Sequence, residues 1–222
     1  MSAVTLYAAS VAALSDPERY AEACRLVSAA RRERLDRLSR QADRCRSLVA
    51  ELLLRRALID CGLQPPFEIR LSVAGKPYLP HAPRFSLSHS GDYAICAVSE
   101  REVGCDVERI RPLSPKLAER FFCPEEAAEI AAAPTEEARL LRFFRFWTLK
   151  ESYVKALGVG MRLPFRAFRL RLEPAPSLVF PQNAERFAFR ELSELPGYCV
   201  SLAEAGEISA VEFITVPTEA LF

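Results

Sequence analysis

Apolar and polar positions alternate weakly over residues 3–13, the period of a strand with one covered face. Asp16-Pro17-Glu18-Arg19 reads as a helix start, with Asp16 as N-cap and Pro17 in the first helical position. A second helix is expected over 28–39 and a third over 41–61, which carries Leu48, Leu52 and Ile59 on its core side and is stopped by Gly62 and Pro65-Pro66. Strands are predicted near 67–73, at 85–90 and at 93–99, the last two joined by a turn at Gly91-Asp92. A further strand runs through Val103-Gly104-Cys105-Asp106-Val107-Glu108. Residues 113–133 are mostly helical, with Pro124 restarting the helix ahead of Glu125 and Glu126. Thr135-Glu136-Glu137 then caps a long helix that ends near Leu157-Gly158.

The two halves resemble each other. Gly91-Asp92-Tyr93-Ala94-Ile95-Cys96 and the Asp106-Val107-Glu108 that follows recur 105 residues later as Pro196-Gly197-Tyr198-Cys199-Val200 and Val211-Glu212-Phe213. Each half also sets a long helix, 41–61 or 136–157, before its strands. This predicts an α+β fold of two pseudo-repeated subdomains, 1–106 and 107–222, each a long helix packed on a small antiparallel sheet. The acidic pair Asp106 and Glu108 ends the first copy in this reading, and the active site falls at the interface of the halves.

Composition narrows the setting. The chain has 222 residues, half of them hydrophobic and only eight of them glycine, enough to bury a full core. No apolar run approaches membrane-spanning length and no signal peptide opens the chain, so no membrane association is expected. Seven cysteines without a CxxC pair fit buried thiols in a reducing compartment, which points to the cytoplasm. Between Arg25 and Arg46, eight arginines face three acids, against a net charge of +1 for the whole chain. That run fits a solvated helix face, a nucleic-acid footprint or a socket for a small polyanion; the overall balance and the lack of aromatics there speak against nucleic acid. The other basic residues are also nearly all arginine. Only Lys76, Lys116, Lys150 and Lys155 are lysine, which marks them as places where a compact ammonium is wanted.

Two motifs carry candidate chemistry. On an extended strand Asp106 and Glu108 share a face, and two adjacent carboxylates repel unless a cation lies between them; oxygen donors favour Mg²⁺ or Mn²⁺ over zinc. A solvated edge strand would show the same pattern. In Phe146-Trp147-Thr148-Leu149-Lys150-Glu151-Ser152-Tyr153-Val154-Lys155, helical spacing stacks Trp147, Glu151 and Lys155 on one face with Lys150 beside them. A carboxylate and two ammonium groups suit a metal held against phosphate, although Glu followed by Lys four residues on is also a common solvated pair. His89, in Ser88-His89-Ser90 at a strand end, is either a phosphate contact or a structural hydrogen bonder.

Taken together, Gly104-Cys105-Asp106-Val107-Glu108 and the 146–155 motif resemble the paired signature of the 4′-phosphopantetheinyl transferases, most closely the two-domain, monomeric surfactin-synthetase-activator (Sfp) type. Gly75-Lys76-Pro77, Phe85-Ser86-Leu87-Ser88-His89-Ser90 and Phe121-Phe122 resemble that type's accessory motifs in the same order. The resemblance implies Mg²⁺-dependent transfer of the phosphopantetheine arm of coenzyme A to a serine of an apo acyl or peptidyl carrier protein, with release of 3′,5′-ADP, by a monomer with pseudo-twofold symmetry. It implies that Asp106, Glu108 and Glu151 are metal carboxylates, that Lys155 contacts the pyrophosphate with Lys150 beside it, and that Lys76, Ser88 and His89 contact coenzyme A. It also sets Arg31, Arg34 and Arg46 against the 3′-phosphate and Glu126 as a candidate general base beside Glu125. The carrier is expected to dock around 113–122, where Lys116 and Arg120 suit an acidic surface. The rival readings are a metal-dependent nucleotide-diphosphate hydrolase and a non-enzymatic carrier-protein or coenzyme A binding module.

Overall fold

Residues 3–181 and 186–222 are described by a computed structural model. Strand β1 (Val4–Ser10) leads to α1 (Pro17–Cys24), whose N-cap Asp16 accepts from the Glu18 and Arg19 amides. Helix α2 (Ala29–Asp36) is capped by Ser28 and followed by α3 (Gln41–Asp60). The buried side of α3 includes Leu48 and Leu52, but Ile59 is 38 % exposed, contrary to the periodicity argument, because the last turn buries Ala57 and Leu58 instead.

The strand expected near 67–73 shrinks to β2 (Arg70–Leu71), paired with β3 (Pro77–Tyr78). The hairpin of β4 (Arg84–Ser90) and β5 (Tyr93–Ser99) precedes β6 (Val103–Arg109). Short helices α4 (Lys116–Phe121) and α5 (Pro124–Ala131) come before α6 (Glu136–Leu157). Thr135 Oγ1 accepts from the Ala138 amide to start α6, and Gly158 ends it with a φ of 67°, a left-handed conformation that suits glycine. Then follow β7 (Arg169–Arg171), β8 (Ser177–Phe180), β9 (Phe187–Leu192), β10 (Tyr198–Ala205) and β11 (Val211–Thr215). Among the described residues no helix is long and apolar enough to cross a membrane.

The fold is α+β, with two sheets packed between two long helices. One sheet has the order β11-β1-β5-β4 and the other β6-β10-β9. Tyr7, Ala9, Ala94, Cys96 and Val98 face α3 in one core. From the opposite face of that sheet, Leu6, Ala8, Ile95 and Ala97 meet Val103, Cys105, Val107, Val200 and Leu202 of the second sheet. Cys199, Ala203 and Phe189 close a third core with α6. The units match in topology: β1 pairs with β5 as β6 pairs with β10, antiparallel in both cases.

This pairing corrects the expected end of the first copy. Asp106 lies opposite Ser201 of β10, so the acidic strand belongs to the second sheet, and a division after residue 106 would cut through β6. In exchange β11 returns to the first sheet and pairs parallel with β1, which makes that sheet mixed rather than antiparallel. Each strand that follows a hairpin crosses to the other sheet, because its own hairpin partner is already covered on that edge.

Two local features fix β6. A side chain on Gly104 would place its Cβ 1.9 Å from the Ser152 carbonyl oxygen and 2.5 Å from the Ala156 amide nitrogen, so only glycine lets the strand lie this close to α6. On its free edge, the amides of Cys105, Val107 and Arg109 donate not to a backbone but to the hydroxyls of Ser86, Ser88 and Ser90 of β4, at 3.0, 3.4 and 3.2 Å. Val103, Cys105 and Val107 enter the core between the sheets, and Gly104, Asp106 and Glu108 alternate with them on the side of α6.

Candidate active site

The carboxylates of β6 and the 147–155 face of α6 open into one cleft of about 390 Å³, walled on the other side by Arg31, Ser47, Ala50, Leu87, Ser88 and His89. Asp106, Glu108, Trp147, Glu151 and Lys155 all line it. Strand alternation presents the first two, and one-turn spacing on α6 presents the other three.

Asp106 is buried and lies between two hydrogen-bond donors on one oxygen. Its Oδ1 accepts from Ser88 Oγ at 2.6 Å and from Lys155 Nζ at 2.7 Å, whereas Oδ2 is buried without a partner. Glu108 Oε2 accepts from Ser90 Oγ at 2.7 Å. Burial pushes the Glu108 carboxyl above its usual range, and Asp106 adds to this against the Ser90 bond. Glu151 is raised by burial first and then by Asp106. Burial, the largest single influence, would lower Lys155, but Asp106, Cys105 and Glu151 together outweigh it, so the ammonium is held above its ordinary range. Loss of hydration, with Arg46 nearby, lowers His89 and keeps its imidazole neutral at pH 7.

The donor set fits a hard divalent cation: it offers oxygen ligands only, one carboxylate oxygen is orphaned in a buried place, and two further carboxyls are raised by burial and then by Asp106. Among the described residues no three acidic, histidine or cysteine side chains already stand around one point.

Other expected residues sit elsewhere. Arg31 lines the cleft and donates through Nη2 to Ser47 at 2.7 Å. Arg46 is turned to the Gly91 carbonyl at 3.1 Å and to Asp43, beside His89 and outside the cleft lining. Arg34 is exposed on α2 and does not reach the cleft. The Lys76 ammonium donates to Glu102 at 2.7 Å, to the Ala156 carbonyl at 3.0 Å and to the Val103 carbonyl at 3.3 Å, so it ties α6 to β6 at the end remote from the acids. Its side chain borders a neighbouring slot of about 240 Å³ lined by Gly75, Pro77, Phe85 and Leu87.

Lys150 and Glu126 are corrected outright. One residue before Glu151 is 100° around the helix, and this turns Lys150 into the core. There, fully buried, it lies 2.8 Å from Glu126 Oε2 and donates to the Phe165 and Phe168 carbonyls at 2.7 and 2.6 Å. Burial lowers Lys150 while Glu126 opposes the shift. Glu126 also accepts from the Leu170 amide at 2.8 Å, so the pair ties α5 and the 165–170 segment to α6 and does not face the cleft. Ser90 and Gly104 also shape the site; both are visible in the alternating Ser86-Leu87-Ser88-His89-Ser90 run and in the glycine two residues before Asp106.

Comparison with known proteins agrees with this arrangement. The model of the 4′-phosphopantetheinyl transferase superfamily matches residues 102–203, and that of the 4′-phosphopantetheinyl transferase N-terminal family matches 15–101. The two matches adjoin in the turn before β6. The 4′-phosphopantetheinyl transferase Sfp of Bacillus subtilis strain 168 is 30 % identical over 185 residues, covering 81 % of this chain and 82 % of that protein. The protein named 4′-phosphopantetheinyl transferase ffp, also from Bacillus subtilis, is 30 % identical over 201 residues, 88 % of this chain and 89 % of that one. The psf-1 transferase of Bacillus pumilus is 33 % identical over 197 residues, 85 % and 84 % of the two chains.

Two outcomes are expected. Lys150→Met strands a buried carboxylate and should cost about 3–5 kcal/mol in urea unfolding, with much of it recovered by adding Glu126→Gln; equal stability of all three proteins would contradict the buried pair. Glu108→Gln or Glu151→Gln should raise the metal-free melting temperature by relieving repulsion while removing the rise that Mg²⁺ gives the unaltered protein. Unchanged melting of both variants, with the Mg²⁺ response retained, would contradict the crowding.

Proposed function

The chain belongs to the 4′-phosphopantetheinyl transferase superfamily, and on that premise we propose that its cleft moves the phosphopantetheine arm of coenzyme A to a serine of an apo acyl or peptidyl carrier protein, releasing 3′,5′-ADP. The observation that carries this is the convergence of Asp106, Glu108 and Glu151 with Lys155 in one cleft. Asp106, Glu108 and Glu151 would hold Mg²⁺, or Mn²⁺ in its place, and the bound ion would supply charge neutralisation for the diphosphate.

The chain's own residues do the rest. Lys155, already charged against Asp106, sits where negative charge grows as the diphosphate is cleaved. The serine oxygen attacks the phosphorus bearing the pantetheine arm; a P–O bond forms there, and the P–O bond to the 5′-phosphate of the departing 3′,5′-ADP breaks with its electron pair. The serine proton passes to a cleft carboxylate. Glu126 is out of reach in its core pair. Arg31 and neutral His89 lie at the other end of the cleft, where they suit the 3′-phosphate. The apolar slot beside the Lys76 stem suits the nucleoside.

The carrier approaches along α4. Phe121 packs edge-on to Trp147 of the cleft at 5.2 Å between centroids, and Arg120 lies over Phe121, so this segment carries apolar and basic groups to the cleft mouth. Lys116 is exposed at the start of the same helix. An acidic carrier surface complements both charges. The enzyme works as a monomer with pseudo-twofold units, in the cytoplasm, where its seven free thiols stay reduced.

Intact-mass spectrometry of apo carrier proteins incubated with coenzyme A, Mg²⁺ and this protein should show the addition of one phosphopantetheine, and formation of 3′,5′-ADP without any change in carrier mass would favour a hydrolase instead. Arg31→Ala should lose about 1.5–3 kcal/mol of the preference for coenzyme A over 3′-dephospho-coenzyme A. Arg34→Ala should keep that preference. The reverse pattern would move the 3′-phosphate site.

A further inference from the structure

The serines of β4 do two jobs at once. Ser86, Ser88 and Ser90 share one face of the strand, and each hydroxyl oxygen accepts an amide of β6, from Cys105, Val107 and Arg109. A hydroxyl oxygen that accepts an N–H keeps one proton to give. Ser88 gives it to Asp106 at 2.6 Å and Ser90 gives it to Glu108 at 2.7 Å. No carboxylate stands opposite Ser86: the residue before its amide partner is Gly104, and the Cys105 thiol donates to the Ser86 carbonyl.

We propose that Ser88 and Ser90 are positioning residues for the metal carboxylates, acting through Asp106 and Glu108 rather than by touching coenzyme A. The inference rests on the cation reading of the cleft. Ser88 was expected at the donor itself, but its buried hydroxyl is fully engaged by a carboxylate and an amide, which leaves it no free proton for a phosphate. Each serine fixes its carboxylate to the backbone of the strand that bears it. The acceptor's amide partner is the residue just after the carboxylate: Val107 after Asp106, and Arg109 after Glu108. The carboxylate rotamer is thereby set by the strand's own register. Groups that orient a metal ligand in this way are typically worth about 10–100-fold in metal affinity.

Ser86 supplies an internal control, because Ser86→Ala loses the same kind of amide bond without touching a carboxylate. The test measures Mn²⁺ binding by the loss of the free-ion EPR signal, alongside the melting temperature and the Mg²⁺ concentration for half-maximal transfer, in Ser86→Ala, Ser88→Ala, Ser90→Ala and Ser90→Thr. Ser88→Ala and Ser90→Ala should bind Mn²⁺ about tenfold or more weakly and need correspondingly more Mg²⁺, with the KM for coenzyme A at saturating Mg²⁺ unchanged. Ser86→Ala should melt lower yet bind Mn²⁺ as the unaltered protein does, and Ser90→Thr, which keeps the hydroxyl, should restore binding. Equal Mn²⁺ affinity in Ser90→Ala and Ser86→Ala would overturn the proposal while leaving the cation site in place. A raised KM for coenzyme A in Ser88→Ala with unchanged Mn²⁺ binding would overturn it in favour of direct donor contact. Absence of Mn²⁺ binding by the unaltered protein would overturn the cation reading and this proposal with it.

Discussion

The row of serine hydroxyls between β4 and β6 is the interaction on which the rest of the structure depends. Both strands lie at sheet edges, and an edge strand buried at an interface must find partners for its amides. A continuous backbone ladder would fuse the two sheets into one. Side-chain acceptors leave the sheets stacked and still satisfy three amides of β6, at a net gain of about 0.5–1.5 kcal/mol each. The energy is modest, but the alternative of unpaired buried amides costs more. The same hydroxyls carry the register of one unit into the carboxylates of the other.

A second constraint acts at the opposite side of β6. Gly104 lets the strand reach the backbone of α6 near Ser152 and Ala156, and Lys76 holds the Val103 and Ala156 carbonyls together just beyond it. The ammonium also sits at the C-terminal turn of α6, where a cation is favoured by the helix dipole. Asp106 follows two residues after the close contact and reaches Lys155 of the same helix. The buried Glu126–Lys150 pair does comparable work within the second unit, tying α5 and the 165–170 segment to α6 where no catalytic group stands.

Much of this was legible in residue order because periodicity is a local property. Alternation exposed the Asp106 and Glu108 pair, helical spacing joined Glu151 to Lys155, and the caps at Asp16, Thr135 and Gly158 marked helix ends. What escaped was long-range. Which sheet β6 joins depends on pairing with β10, almost a hundred positions away, and the hydrophobic pattern of a strand says nothing about its partner. Lys150 was misplaced for a different reason: adjacent to Glu151 in sequence, it is a quarter-turn and more away in space. Lys76 shares a motif with the donor slot, yet its ammonium is consumed by carbonyls that only the folded chain brings near. Arg31, Arg34 and Arg46 looked equivalent as a charge run, and only the packing of α2 and α3 separates the one that lines the cleft.

The central claim is that β6 and α6 together hold a divalent ion against the diphosphate of coenzyme A. Pulsed ENDOR on the protein with Mn²⁺ and coenzyme A tests it directly, because ³¹P coupling to the ion reports phosphate in its coordination sphere. The account predicts a ³¹P coupling in the unaltered protein that disappears in Asp106→Asn, whose β6 position keeps the fold and removes the charge. Mn²⁺ bound with no ³¹P coupling, or a coupling that survives in Asp106→Asn, would contradict it.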